Sequence, residues 1–446
     1  MYYPTQIKKR GDKVGFYSGK SYIKVDGQKE VTIDKPVLEY TSPKIVAIPL
    51  KNAGYEDFEI HVEVGTPVKI GTLLATGKDH NKLPLFSSVS GKVTAIEKRD
   101  HISLKKTNHI IIENDFKDDK ETLFEPVSDF SALTDTEIKD CLKNAGVLGL
   151  GGLGVQTFTK FRNTKNIDTI MINGVETDTH ITADETNMLN DAELLVEGAK
   201  VLMKAADAKL CVIAVTETKT AIIEKLNKLI EGTGIEIKTM PDVYPTGFEK
   251  NLISKLFNKE YKIMPLEAGI ISMNVSTVIE FARTLQNGLP LHERVITLGG
   301  DGFANPQNVK VRIGTLLTDI LSEIGGYTNG VSKETSRLVH GGPMRGDAVI
   351  TDNLSVTPIT GGFTCVATAN FVESPCSRCG ECIRSCPANI QPIQILRAFK
   401  LKDKQALLDL SADKCIECGV CSYVCPSFID VADATKKGRA LALQRG

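Results

Sequence analysis

Two cysteine runs near the end of the chain constrain it more than any other feature. The first reads Cys376-x2-Cys379-x2-Cys382-x3-Cys386-Pro387 and the second Cys415-x2-Cys418-x2-Cys421-x3-Cys425-Pro426. This is the spacing with which a chain wraps two [4Fe–4S] clusters. Three close cysteines hold one cluster, and the fourth of each run ligates the other. On that rule Cys376, Cys379, Cys382 and Cys425 share one cluster, and Cys386, Cys415, Cys418 and Cys421 the second. Two-residue gaps let consecutive thiolates converge on one cube. Gly380 and Gly419 follow the second cysteine of each run and permit the tight backbone path. A pair of zinc sites is the competing reading, but zinc takes its four ligands from two CxxC pairs, and the doubled run is far more specific. Between the runs, Ile395, Leu396 and Phe399 suit one helical face, and Ala406, Leu407 and Leu410 a second. A mainly helical module is expected, with two clusters in series acting as a wire. Ligation alone leaves potentials anywhere from about −700 to +450 mV.

The remaining cysteines, Cys141, Cys211 and Cys365, are isolated and read as structural. Eight clustered cysteines out of 11 in 446 residues indicate metal ligation rather than a disulfide scaffold. That length accommodates roughly two to four domains. A net charge of −1 with scattered basic residues implies no pull toward nucleic acid. No stretch reaches the roughly 18 apolar residues of a membrane span. The start, MYYPTQIKKRGDKVG, has no apolar signal core. A cytoplasmic protein is expected, without direct membrane insertion, reaching a membrane only through partners.

Residues 1–40 are polar, with weak alternation in SYIKVDG that suggests short strands. The runs KIVAIPL, FEIHVEV, KVTAIEK and HIIIEN then read as strands broken by glycine. VEVGTPVKIGTLLA and SSVSGKVTAIE resemble the halves of a biotinyl/lipoyl-type barrel sandwich. Lys82 is not in a carrier-like motif, so a docking or scaffolding module is expected. From about 133 to 250 the pattern alternates: strand DTIMI, helix ELLVEGAKVLMKA, strand CVIAV, an amphipathic helix through Ile222, Leu226 and Leu229, and strand IEIKT. That order argues a parallel sheet covered by helices. Residues 265–350 suggest a small α+β unit.

Clusters move single electrons, so a two-electron donor needs a cofactor able to split the pair, and flavin does so. The candidate site is Gly146-Val-Leu-Gly149-Leu-Gly151-Gly152-Leu-Gly154, whose glycines would let backbone N–H groups approach a phosphate or ribityl chain. A flexible connection is the plain alternative, and the loop is not a GxGxxG fingerprint. Lys160 follows and would meet a phosphate. Asn173 and Glu176 stand at the end of strand DTIMI, where α/β sheets bind ligands, and would contact flavin or nicotinamide.

GLGGLGVQTFTKF, MINGVETDTHITAD, YPTGFEKNLI, HERVITLGGDG and HGGPMRG, together with the cysteine runs, resemble the RnfC family of the Rnf electron-transport complexes. That family is similar in turn to the flavin- and NADH-binding component of respiratory complex I. The resemblance covers about residues 44 to 430. It implies an α/β multidomain chain with a barrel-sandwich (biotinyl/lipoyl-like) domain over 1–130 and a Rossmann-like FMN/NADH domain over 131–262. A soluble-ligand-binding β-grasp domain over 263–350 and an α-helical two-cluster ferredoxin domain over 351–446 complete it. It places Gly149, Gly151, Gly152, Gly154 and Lys160 in the FMN/NADH site, with Asn173 and Glu176 near the isoalloxazine. The family loop usually continues Gly-Phe-Pro-Thr, whereas Val155 and Gln156 stand here, and an N-terminal His-Pro-Pro phrase is absent. These departures point to a divergent branch, such as the one associated with proline reductase in amino-acid-fermenting anaerobes.

Two functions follow as expectations. One is an NADH dehydrogenase-type oxidoreductase, with NADH as donor, FMN, two [4Fe–4S] clusters, and either a soluble reductase such as proline reductase or the membrane Rnf complex as partner. The other is a ferredoxin-like adaptor that relays electrons without nicotinamide or flavin chemistry of its own.

Overall fold

The computed structural model describes residues 16–17, 20–21, 23–52, 55–331, 335–367 and 372–444. Of the weakly alternating SYIKVDG only Tyr22 lies outside these: Ser21 ends a two-residue strand, Ile23 makes a single bridge to Tyr244, and the rest is irregular.

Alternation of apolar residues builds the first unit. Strands Ile45–Pro49, Lys106–Asn114, Gly91–Asp100 and Pro67–Val68 form an antiparallel four-stranded sheet. Phe58–Ile60, Leu73–Gly77 and Pro84–Phe86 form a three-stranded one. Val46, Ile48, Leu74, Val93, Ile110 and Ile112 point inward and are buried, each contributing about 1.5–3 kcal/mol. FEIHVEV stays in the sheet only to Ile60, because the chain then turns at Gly65. The turn carrying Lys82 is fastened to the next unit by Arg162, whose guanidinium donates to Asn81 Oδ1 at 2.6 Å.

The second unit is a parallel sheet. Its strands are β1 (Thr169–Gly174), β2 (Leu210–Thr216), β3 (Ile235–Met240) and β4 (Ile270–Asn274), in spatial order β3-β2-β1-β4. The first three are the strands expected from the apolar runs. β4 is the addition: it pairs with the other side of β1, so the sheet runs past residue 262, where the sequence pattern changes. One face packs Ile170, Ile172, Ile213 and Ile271 against Leu195, Leu202, Val278 and Phe281. The other packs Met171, Ala214 and Ile270 against Leu252 and Ile253. Burial on both faces explains why these strands read as continuous apolar runs. Helices α1 (Ala183–Asn190) and α2 (Val275–Asn287) follow β1 and β4.

The third unit is a six-stranded mixed sheet, ordered Asp347–Val349, Ser336–His340, Gly362–Ala367, Glu293–Gly299, Gln307–Arg312, Leu38–Tyr40. Its edge strand comes from ahead of the first unit and another strand from beyond residue 350. The last unit is helical, as its apolar spacing predicts: Pro392–Lys400, Lys404–Asp409 and Val431–Leu443 enclose Ile395, Leu407 and Ala442. Among the described residues no helix is long and apolar enough to cross a membrane.

Candidate functional site

The eight clustered cysteines line two cavities. One is lined by Cys386, Cys415, Cys418 and Cys421, and the other by Cys376, Cys379, Cys382 and Cys425. These are the two groups of four that the spacing pairs across the runs. The local conformation repeats between the runs. Arg378 and Glu417 take left-handed backbone before the second cysteine (φ 56° and 57°), and Gly380 and Gly419 after it (φ 77° and 80°). Each glycine opens a one-turn helix, Glu381–Arg384 and Val420–Tyr423, which carries the third cysteine. The cavities differ in depth. Cys386, Cys418 and Cys421 are buried, whereas Cys376 and Cys379 are exposed. We call the two cavities inner and outer. Burial pushes the Cys415 thiol up to about 11 and Cys418 to about 12, so in the inner cavity a thiolate needs a bound cation. Among the described residues no three His, Cys, Asp or Glu side chains are close enough to share one metal ion. A zinc site would draw its thiolates to about 2.3 Å from a single ion. Four thiols line each cavity, the ligand number of a [4Fe–4S] cluster.

The second constellation lies where the parallel sheet reverses its order, between β1 and β4. In such sheets ligands bind outside the carboxyl ends of the strands at this reversal. Four elements meet there. The loop Gly149–Gly154 is closed on itself by Gly149 N–H donating to the Val155 carbonyl (2.8 Å) and Gly154 N–H to the Gly149 carbonyl (3.2 Å). Leu150 N–H ties it to Thr277 Oγ1 at 2.9 Å, on the first turn of α2. Gly151 and Gly152 are exposed. Gly152 has φ +104° with open space beside it, and a Cβ on Gly151 would stand 3.2 Å from Asn274 Cβ. A side chain on Gly151 would fill the space between loop and strand end, so this glycine keeps a cradle open.

Beneath the loop, Asn274 Nδ2 and Ser276 Oγ donate to the two Asp184 oxygens at 2.6 and 2.5 Å. Glu176 accepts from the Asp184 and Glu185 N–H groups at 3.1 and 3.2 Å, which places its carboxyl on the N-terminus of α1. Lys29 reaches in from an N-terminal strap and donates to the Glu176 carbonyl. Desolvation pushes the Glu176 carboxyl up to about 8, against the pull of Lys29, and raises Asp184 too. Both residues keep some exposed surface, but their carboxyl groups are buried beneath the strand ends.

Family matches cover the chain in four blocks. They are the RnfC barrel sandwich hybrid domain over residues 18–117, the Nuo51 FMN-binding domain over 142–283, the SLBB domain over 295–348 and the 4Fe-4S dicluster domain over 375–429. The C component of the Na(+)-translocating ferredoxin:NAD(+) oxidoreductase complex of Acetobacterium woodii is 32% identical over 377 residues, 82% of this chain and 84% of that one. The chain belongs to the RnfC family. The corresponding component of the proton-translocating ferredoxin:NAD(+) oxidoreductase complex of Clostridium ljungdahlii is 31% identical, over 82% of this chain and 81% of its own. A solved NAD+-reducing [NiFe]-hydrogenase is also similar, at TM-score 0.49 and 14% identity, covering 69% of this chain and 63% of that one.

In this RnfC-family chain the FMN-binding block spans the glycine loop, both carboxyls and Asn274, and the dicluster block holds all eight cysteines. The structure distributes the residues expected from sequence unevenly. Gly151 abuts Asn274, which Asp184 links to Glu176, whereas Gly149 closes the loop on Val155 and Gly154 is buried against Asn52 and Ile359. Asn173 is committed to the fold: its Nδ2 donates to the Gly247 carbonyl at 2.8 Å and its Oδ1 accepts from Val175 N–H at 3.0 Å. Lys160 donates to the Ser272 carbonyl at 2.6 Å, two residues before Asn274, and burial lowers its pKa. Asp184, Asn274, Ser276 and Lys29 were not singled out from sequence. A signal existed for two of them. Asn274-Val-Ser276 ends an apolar run and opens a helical one, the pattern of a helix cap, and Asn274 Oδ1 does accept from Ser276 N–H at 2.9 Å.

Proposed function

We propose that the chain carries electrons between a nicotinamide nucleotide at the β1/β4 cleft and a protein partner at the outer cavity, with FMN in the cleft and a [4Fe–4S] cluster in each cavity. The observation that supports this best is the union, in one chain, of an open glycine cradle at a sheet reversal and two four-cysteine cavities. Flavin, when bound, exchanges a hydride as a pair and single electrons one at a time, and each cluster takes one. The reaction balances as NADH plus two oxidised clusters giving NAD+, one proton and two reduced clusters. The chain's own work is positioning. The loop would offer the backbone N–H groups of residues 151–153, those of Gly149, Leu150 and Gly154 being spent within the fold, and the eight cysteines would supply thiolates. Burial raises the pKa of the Glu176 carboxyl, which favours its protonated form.

For partners we propose the other proteins of an Rnf-type membrane complex, by analogy with the oxidoreductase complex to which the Acetobacterium woodii relative belongs. The chain would then sit on the cytoplasmic side, peripheral to the membrane. A soluble reductase such as proline reductase is the narrower alternative, suited to the altered loop. Co-purification from native membranes and from soluble extract separates the two: the partner is whichever fraction retains this chain with its clusters reducible.

A second reading, an electron-relay adaptor without nicotinamide chemistry, is favoured by Val155 and Gln156 in the loop and by the commitment of Lys160 and Asn173 to backbone carbonyls. Anaerobically purified protein decides between them. Flavin absorbance bleached by NADH supports the first reading. Iron–sulfur absorbance alone, unresponsive to NADH, supports the second.

A further inference from the structure

The inner cavity is built against two units, the six-stranded sheet through Met344 and the α/β unit through Tyr244. Gly419, between Cys418 and the one-turn helix, lies against the HGGPMRG turn so closely that a Cβ would stand 2.1 Å from the Met344 carbonyl oxygen. Beside it, Tyr244 Oη donates to the Cys418 carbonyl oxygen at 2.6 Å in a fully buried contact. Ile23, Met344 and Val420 seal the contact, with Phe248 and Tyr423 around them.

Tyr244 is held on every side. Its backbone exchanges two hydrogen bonds with Ile23, at 3.1 and 2.8 Å. Its ring meets Phe248 edge-on, with centroids 5.9 Å apart. Asn251 Nδ2 donates to the Pro245 carbonyl at 3.0 Å, and Asn173 Nδ2 to the Gly247 carbonyl at 2.8 Å. A connected path of covalent and hydrogen bonds therefore runs from the end of β1, through 247–244, to the backbone of Cys418.

The equivalent position in the other run makes a useful contrast. The Cys379 carbonyl accepts from Arg384, an exposed residue of the same short helix, at 2.8 Å. The two runs share their local conformation, yet only one receives its donor from a different unit of the chain.

We propose that Tyr244 is a positioning residue that fixes where electrons leave the α/β unit: they pass first to the cluster held by Cys386, Cys415, Cys418 and Cys421. This rests on the functional reading above. Solvent exposure and hydrogen bonds to a cluster's sulfurs set its potential, and a buried phenol that holds a ligand's own peptide fixes where that ligand's sulfur stands. With clusters bound, exposed Cys376 and Cys379 would hold the outer one where a partner could take its electrons.

The test uses the full chain, purified anaerobically, with the variants Tyr244→Phe and Arg384→Ala. Tyr244→Phe leaves the Cys418 carbonyl without its buried donor. The expected result is unchanged iron content and unchanged flavin bleaching by NADH, with cluster reduction by NADH slowed about tenfold. In a dithionite titration followed by electron paramagnetic resonance, one cluster alone shifts its potential. Arg384→Ala should shift the other cluster and leave the NADH-driven rate of the first unchanged. Equal rates and unshifted potentials in Tyr244→Phe would overturn the proposal. If that variant loses iron, a fluorinated tyrosine at the same position keeps the ring and strengthens the donor. It should raise the same cluster's potential above the wild-type value, and no movement overturns the proposal. Wild-type protein whose clusters respond to dithionite but not to NADH sinks the functional reading instead, while the potentials still judge Tyr244.

Discussion

Glu176 sits where two opposing influences meet. The N-terminus of α1 and Lys29 favour its anion, and desolvation disfavours it more, so the carboxyl rises from an ordinary 4.5 to about 8. Its folded value lies above its unfolded value. Between them the folded chain binds the extra proton, so stability falls as pH rises from about 4.5 to about 8. Glu176→Gln removes this titration. Melting curves across pH 6 to 9 should show the variant gaining on the wild type as pH rises; a gap independent of pH would refute the assignment. The cysteines give a second residue-scale prediction. Cys382→Ala removes a thiolate with no substitute in its cavity, and iron should fall from about eight to about four per chain. Retention of about eight would contradict the grouping. The cysteine pairing was legible because it is written in local spacing. The acid partner Asp184 was not, since nothing near it in sequence marks it: it becomes a site residue only when Asn274, 90 positions away, closes on it at 2.6 Å.

Elements show the same division. β1, β2 and β3 declared themselves as apolar runs between helices of clear periodicity. β4 is equally apolar, but its place beside β1 is a matter of strand order, which no window of sequence contains. The cleft therefore depends on a pairing invisible to the pattern that predicted the sheet. The edges of the six-stranded sheet repeat the lesson: Leu38–Tyr40 and Gly362–Ala367 are recruited from outside the 263–350 window. The one-turn helices of the two cysteine runs allow a paired test. Gly380 and Gly419 both have left-handed backbone, which costs any other residue about 1 kcal/mol. A Cβ on Gly380 meets only the flexible Arg384 guanidinium at 3.1 Å, whereas on Gly419 it meets the Met344 carbonyl at 2.1 Å. Gly419→Ala should therefore lower thermal stability and cluster content well beyond Gly380→Ala. Equal losses would show that the inner run does not dock as described.

At the scale of the whole molecule, the cluster module depends on its ligands more than the other three units do. Its small core places Cys386 beside Ile390 and Ile395, and Cys421 beside Leu396 and Val431. The sheets carry apolar cores of their own. Chelating the iron should expose the last module to proteolysis while the preceding units stay protected; uniform degradation would contradict that independence. The order of parts along the electron path is the account's central claim: a cleft at the sheet reversal, an inner cavity against Tyr244, and an outer cavity at the surface. One measurement addresses it most directly. Anaerobic wild-type protein with its full iron and flavin content is mixed with NADH and followed by stopped-flow absorbance. The account predicts flavin bleaching, then reduction of both clusters within the same turnover. Clusters that dithionite reduces while NADH leaves them oxidised would contradict it.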